Sequence, residues 1–228
     1  MIKTRITLTL MLFALFLAYT CMCIMVDVSL FAPQNVYTGA GGYGTTEIGL
    51  YSLNTSVHSA LGFKETLYKF SEYLGYFALM VGAVIGCLWL YRFIKTHHIP
   101  AVDPILNASV ITMALMAAFY VLFEVVKLNY RPVVLKDALE ASYPSSHTLL
   151  GLTVFGCAAM VCKSLIKDKG LGNSLCWLFW ILAAVLTLFR ALSGVHWISD
   201  IIGGILLSAA LLYFAVYLCQ MQEKRSDI

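Results

Sequence analysis

Six apolar runs, each long enough to cross a hydrocarbon core, dominate what this chain can fold into. They cover about residues 6–26, 70–91, 104–126, 147–165, 171–189 and 196–219. At ~1.5 Å of rise per helical residue, about 20 residues span a bilayer core. In lipid every backbone polar group must find an internal partner, and runs of this length meet that demand as helices. Composition agrees, since 61% of the 228 residues are hydrophobic and 12% are charged, far from the balance of a soluble domain. The expected fold is all-α: a polytopic six-transmembrane-helix bundle forming a single integral membrane domain over residues 1–228.

The first run follows Lys3 and Arg5. It exceeds a signal-peptide h-region and no small-residue cleavage pattern follows cleanly, so it reads as a retained span. Residues 27–65 form the most polar stretch and the longest outer loop. Within it Leu50, Leu53, Val57 and Leu61 recur at helical spacing ahead of Gly62, which predicts an interfacial helix over about 48–61. Asn54-Thr55-Ser56 matches a glycosylation sequon, a match that chance explains better in so compact a chain. Tyr68, Phe70, Tyr73 and Tyr76 then form an aromatic belt opening the second run.

Charge sets the orientation. Lys3, Arg5, Arg92, Lys95, Lys163, Lys167, Lys169, Lys224 and Arg225 all fall on one face of a six-span chain, and the positive-inside bias makes that face cytoplasmic. Both termini then lie on the cytoplasmic side of a cell membrane, and Arg131, His147, Arg190 and His196 collect at the external helix ends. The net charge of +3 forms no single basic face, so nucleic acid is not an expected partner. The seven cysteines include no Cys-x-x-Cys, which leaves neither a disulfide framework nor a zinc site.

The last run opens with Arg190-Ala-Leu-Ser-Gly-Val-His196-Trp-Ile-Ser-Asp200. If a helix begins near His196, Asp200 lies one turn further on the same face and can accept a hydrogen bond from one imidazole nitrogen, leaving the other free. Ser193-Gly194 lets the chain turn so that the Arg190 guanidinium reaches toward the ring. Before the fourth run stand Arg131-Pro132 and Pro144-Ser145-Ser146-His147. Pro132 holds Arg131 on extended backbone, and Ser145 and Ser146 offer hydroxyls and early-helix amides to an anion. Each piece has a plain reading as a helix stop or cap. Two arginines, two serines and two histidines on one face, however, suit an anion with three or four oxygens far better than a metal. No metal and no cofactor is expected.

These residues resemble the three-part signature of the type 2 phosphatidic acid phosphatase family, related to vanadium haloperoxidases and glucose-6-phosphatase. The resemblance covers about residues 100–205 and is carried by Arg131-Pro132, Pro144-Ser145-Ser146-His147 and Arg190-x5-His196-x3-Asp200. It implies a metal-independent phosphatase in which His196 attacks phosphorus and forms a phosphohistidine, with Asp200 fixing its tautomer. Arg131, Arg190 and the amides near Ser145 and Ser146 would hold the phosphoryl oxygens. His147 would protonate the leaving group and then activate water. Expected substrates are a lipid phosphate or diphosphate at the outer face: phosphatidic acid, phosphatidylglycerol phosphate or a polyprenyl diphosphate.

Three positions depart from the pattern. The family's usual Lys seven residues before the motif Arg is Glu124 here, with Lys127 one helical turn away as a substitute phosphate ligand. Ser146 stands where Gly is usual, and Phe189 where Ser or Thr is common before Arg190. Glu124 keeps open a non-catalytic protein that binds or transports a lipid phosphate. Vanadate-dependent oxidation is a third, weaker reading.

Overall fold

The computed structural model describes residues 2–136 and 138–226. Among the described residues there are seven α-helices: α1 (Ile2–Met25), α2 (Tyr51–Leu61), α3 (Glu65–Thr96), α4 (Pro104–Val125), α5 (Ser146–Leu165), α6 (Lys169–Leu192) and α7 (Ile198–Ser226). All but α2 are long and apolar enough to cross a membrane, and the chain is an all-α polytopic membrane bundle.

Helix ends follow local chemistry. Pro104 at the first turn of α4 needs no amide partner, and the Asp168 side chain accepts from Leu171 N at the start of α6. The 32-residue α3 overruns its apolar stretch at both ends. Hydropathy marks the lipid-buried part of a helix, whereas the helix continues until something stops it. At its start Glu65 and Lys69 form an (i, i+4) ion pair, and at its end left-handed His97 closes it.

The bundle is centred on α5, the most buried span. Gly151 lets Leu186 of α6 approach α5 closely, and Gly156, on another side of the helix, does the same for Leu212 of α7. Small residues are what allow helices to pack tightly where lipid supplies no hydrophobic drive. The first helix belongs to the same core: Phe16 is buried against Phe123 and Tyr143, and Thr20 Oγ1 lies 2.7 Å from the Tyr143 hydroxyl.

Between α1 and α2 the polar stretch forms more structure than periodicity predicts. β1 (Ser29–Phe31) pairs antiparallel with β3 (Thr46–Ile48). β2 (Gln34–Asn35) pairs in parallel with β4 (Val133–Val134), directly after Arg131-Pro132. Strands of two or three residues are too short to leave an alternating pattern.

α2 is fastened to the start of α7 by Asn54, which is fully buried. Its Nδ2 donates to Gly49 O and Ser199 Oγ, both at 2.9 Å, while its Oδ1 accepts from Ser199 N at 3.1 Å. The sequon asparagine is thus a buried helix-end partner with no room for a glycan. Asn54→Ala would orphan the Ser199 amide and the Gly49 carbonyl. It is expected to cost about 2 kcal/mol, read as a lower unfolding temperature of the detergent-solubilised protein.

Candidate active site

One set of helix ends gathers the start of α5, the end of α6, the turn into α7 and the loop from Lys127 to Ser145. The turn is tight. Gly194 adopts φ +68° with its α-carbon against Gly62 O, so a Cβ there would sit 2.1 Å from that oxygen. Glycine meets both demands. The Trp197 indole donates to Tyr130 O at 2.8 Å, which fixes the turn to the Arg131 loop.

Arg190, at the end of α6, is fully buried. Its Nη1 donates to Ser71 Oγ and its Nη2 to His147 Nδ1, each at 3.0 Å, and the guanidinium carbon lies 5.1 Å from the Tyr68 ring centroid. No carboxylate lies within ion-pair distance of it among the described residues. A guanidinium can only donate, so His147 Nδ1 must accept and the proton of neutral His147 sits on Nε2. The ring edge rests on Gly75 of α3, where a Cβ would lie 2.6 Å from His147 Cδ2.

Arg131 is paired with Glu140 by its side chain and by Arg131 N donating to Glu140 O at 3.1 Å. His196 lies in the turn before α7, 4% exposed. Its Nε2, like the Nε atoms of Arg131 and Arg190, is buried with no hydrogen-bond partner among the described residues. The direct bond to Asp200 that the spacing suggests is absent: Nδ1 and Oδ2 are 3.7 Å apart. Ser142 stands between them, with Oγ 2.9 Å from His196 Nδ1 and donating to Asp200 Oδ2. Asn129 Nδ2 and Trp197 N also donate to Asp200, each at 3.0 Å.

The two serines of the α5 start divide. Ser145 is fully buried, its amide donates to Asp200 O at 3.0 Å, and its hydroxyl accepts from Thr148 Oγ1 at 3.1 Å. Both of its expected anion donors are thus engaged or turned inward. Ser146 instead lines an open cleft of about 390 Å³ together with His147, Arg131, Lys127, Glu124 and Glu72. Glu124 and Lys127 form no ion pair within the described residues; they share the cleft wall as separate charges. An apolar groove of about 350 Å³, walled by Leu79, Met116 and Leu150, meets the same Ser146 and His147 from the membrane side.

Sequence reasoning passed over Ser142, Asn129, Ser71, Gly75 and Glu140. Ser142 and Asn129 flank the motif segments and carried a signal as polar residues next to them. Ser71 and Gly75 lie on α3, distant in sequence, and only packing brings them in.

Burial, reinforced by the charges of Arg131 and Arg190 and by His147, holds the His196 imidazole well below its ordinary 6.5, with the Ser142 backbone carbonyl opposing. The folded chain therefore binds fewer protons at His196 than the unfolded chain does. This group's contribution to stability is complete above pH 6.5 and is lost as the pH falls below it. Unfolding temperatures measured from about pH 7.5 down to about pH 5 are expected to fall more steeply for the parent than for His196→Gln.

A six-helix membrane bundle with two arginines and two histidines converging at one set of helix ends defines a polytopic helical membrane protein whose polar site suits an oxyanion. The PAP2 superfamily model matches residues 124–224, the segment that holds every one of those four side chains. Its fold is similar to that of a transmembrane PAP2-type phosphatidylglycerolphosphate phosphatase from Bacillus subtilis, with a TM-score of 0.58 and 17% identity over 95% of this chain and 96% of that one. No curated protein sequence matches.

Proposed function

We propose that this protein is a phosphoric ester hydrolase that acts on a lipid phosphomonoester or diphosphate at the outer membrane face through a phosphohistidine on His196. The carrying observation is the buried, unpartnered Nε2 of His196 beside Arg131 and Arg190. A buried guanidinium without a carboxylate is costly, and a phosphoryl group supplies the charge and the oxygens that its forks match.

In this reading His196 Nε2 forms the bond to phosphorus while Arg131 and Arg190 stabilise charge on the equatorial oxygens. Each such donor is typically worth ~3 kcal/mol in the transition state. His147, protonated on both ring nitrogens once the bound phosphate draws Arg190 off its Nδ1, gives its Nε2 proton to the departing oxygen and then, as the neutral ring, takes a proton from the attacking water. Ser146 and Lys127, on the cleft wall, are the remaining phosphate ligands of the proposal. Ser145 holds the start of α5 in place. The arginines make the site self-sufficient in positive charge, so the chemistry is proposed to run without a metal.

The lipid character of the substrate draws support from the meeting of the polar cleft and the apolar groove at Ser146 and His147. A phosphate head fits the first and an acyl or prenyl tail the second. The outer-face assignment rests on the cations Arg5, Arg92, Lys95, Lys163, Lys167 and Lys169, at helix ends opposite the site. One observation favours a second reading, a lipid-phosphate binder without turnover: Glu124 lines the cleft at the position where the resemblance places a Lys, so a cation that would stabilise transition-state charge is missing there.

The test is phosphate release by the detergent-solubilised protein from a panel of lipid phosphates and diphosphates, with EDTA present. Release is expected to survive EDTA and to fall by at least ~10³-fold in His196→Ala. Binding without release from any lipid would support the second reading. Gly75→Ala pushes the His147 ring from its seat and is expected to lower kcat on the order of 10²-fold, since a misplacement of about 1 Å has that effect, with KM little changed.

A further inference from the structure

Ser142 belongs to none of the motifs in this sequence, yet it occupies the decisive position between His196 and Asp200. It is 2% exposed and its amide donates to Asn129 O at 3.1 Å, so its backbone is held from the Arg131 loop. At 3.7 Å the Nδ1 to Oδ2 separation exceeds hydrogen-bonding distance. The hydroxyl bridges the gap.

A hydroxyl has one proton to give. Asp200 receives donors from Asn129, Trp197 N and Ser142, the environment of an ionised carboxylate acting purely as acceptor. The Ser142 proton is therefore committed to Oδ2, and Oγ must accept from His196 Nδ1–H. That leaves the lone pair on Nε2, the atom buried without a partner. We propose that Ser142 is a positioning residue that fixes the reactive tautomer of His196 by relaying the Asp200 carboxylate to its ring. The proposal rests on the reading of His196 as nucleophile.

The step it serves is balanced within the site. The Nε2 lone pair forms the N–P bond, the P–O bond to the leaving group breaks, and the departing oxygen takes the Nε2 proton of His147, which carries a second proton on Nδ1 once the bound phosphate has drawn Arg190 away and is left as the neutral ring. His196 becomes cationic while keeping its proton on Nδ1. The Ser142 dipole, oriented by Asp200, faces that charge as it develops. A serine that merely satisfied Asp200 would have no effect on the His196 tautomer.

The experiment combines two readouts on the full-length protein in detergent micelles. The first is the ¹⁵N spectrum of ¹⁵N-histidine-labelled parent, Ser142→Ala and Ser142→Thr, with His196→Ala assigning the signal. The second is the rate of trapping the acid-labile phosphoenzyme in a single turnover. The parent is expected to show His196 protonated at Nδ1. In Ser142→Ala that tautomer gives way to a mixture and trapping slows on the order of 10²-fold, less than the ~10⁴ reported when a triad carboxylate that sets a tautomer is itself removed. Ser142→Thr, which keeps the hydroxyl, is expected to restore both. KM should stay within roughly threefold, as for an interaction made in the transition state.

A parent His196 protonated at Nε2 would overturn the proposal without any variant. So would a Ser142→Ala protein that keeps the Nδ1–H tautomer and the parent trapping rate, which would assign the role to the Ser142 carbonyl or to Asp200 acting directly. If the tautomer shifts as expected while the parent releases phosphate from no lipid, the positioning role stands and the phosphatase reading fails.

Discussion

The loop between α4 and α5, the start of α5 and the turn into α7 meet on one buried residue, Asp200. Its side chain takes hydrogen bonds from Asn129 and Ser142, near the two ends of that loop. It also caps its own helix by accepting from Trp197 N, where negative charge at a helix start is favoured. Its backbone carbonyl accepts from Ser145 N, the residue before α5. The position of His147 is thus referred to the same residue that positions His196. A buried carboxylate is tolerable only when donors surround it, and here the donors come from the elements that the site needs held together.

Much of this was legible in the chain. Span number follows from hydropathy alone, because a bilayer has a fixed thickness and the six runs match it. That Arg131, His147, Arg190 and His196 approach one another was legible too, since alternating spans place alternate loops on one face. Shorter distances were not. Spacing of four residues suggests that Asp200 touches His196, but His196 precedes the first helical residue of α7, Ile198. The (i, i+4) geometry of a regular helix does not apply across a turn. The hydroxyl that fills the resulting gap comes from a loop more than fifty residues earlier, and no local pattern announces it.

The long outer stretch shows the same limit differently. A helical face of Leu50, Leu53, Val57 and Leu61 signals an amphipathic helix, and periodicity cannot say whether lipid or protein covers it. Asn54 decides: it projects from α2 into the start of α7 and hydrogen-bonds Ser199 there, next to Asp200. β2 does likewise by pairing with Val133 and Val134 beside Arg131. The polar stretch therefore braces two of the three motif segments.

The two histidines are given opposite tautomers by opposite means. His147 Nδ1 faces a guanidinium, an obligate donor, so it must accept and its proton goes to Nε2. His196 Nδ1 faces a hydroxyl whose proton is drawn off by Asp200, so it must donate and Nε2 keeps its lone pair. One ring therefore offers a proton and the other an electron pair, each from Nε2. In the proposed reaction the nucleophilic ring has to be neutral and the ring that protonates the leaving group has to carry a second proton when it does so, but at rest elementary electrostatics would leave each neutral ring free to choose either tautomer. Arg190 and Ser142 remove that choice before any substrate arrives, so the ordering cost is met in folding and not in the chemical step.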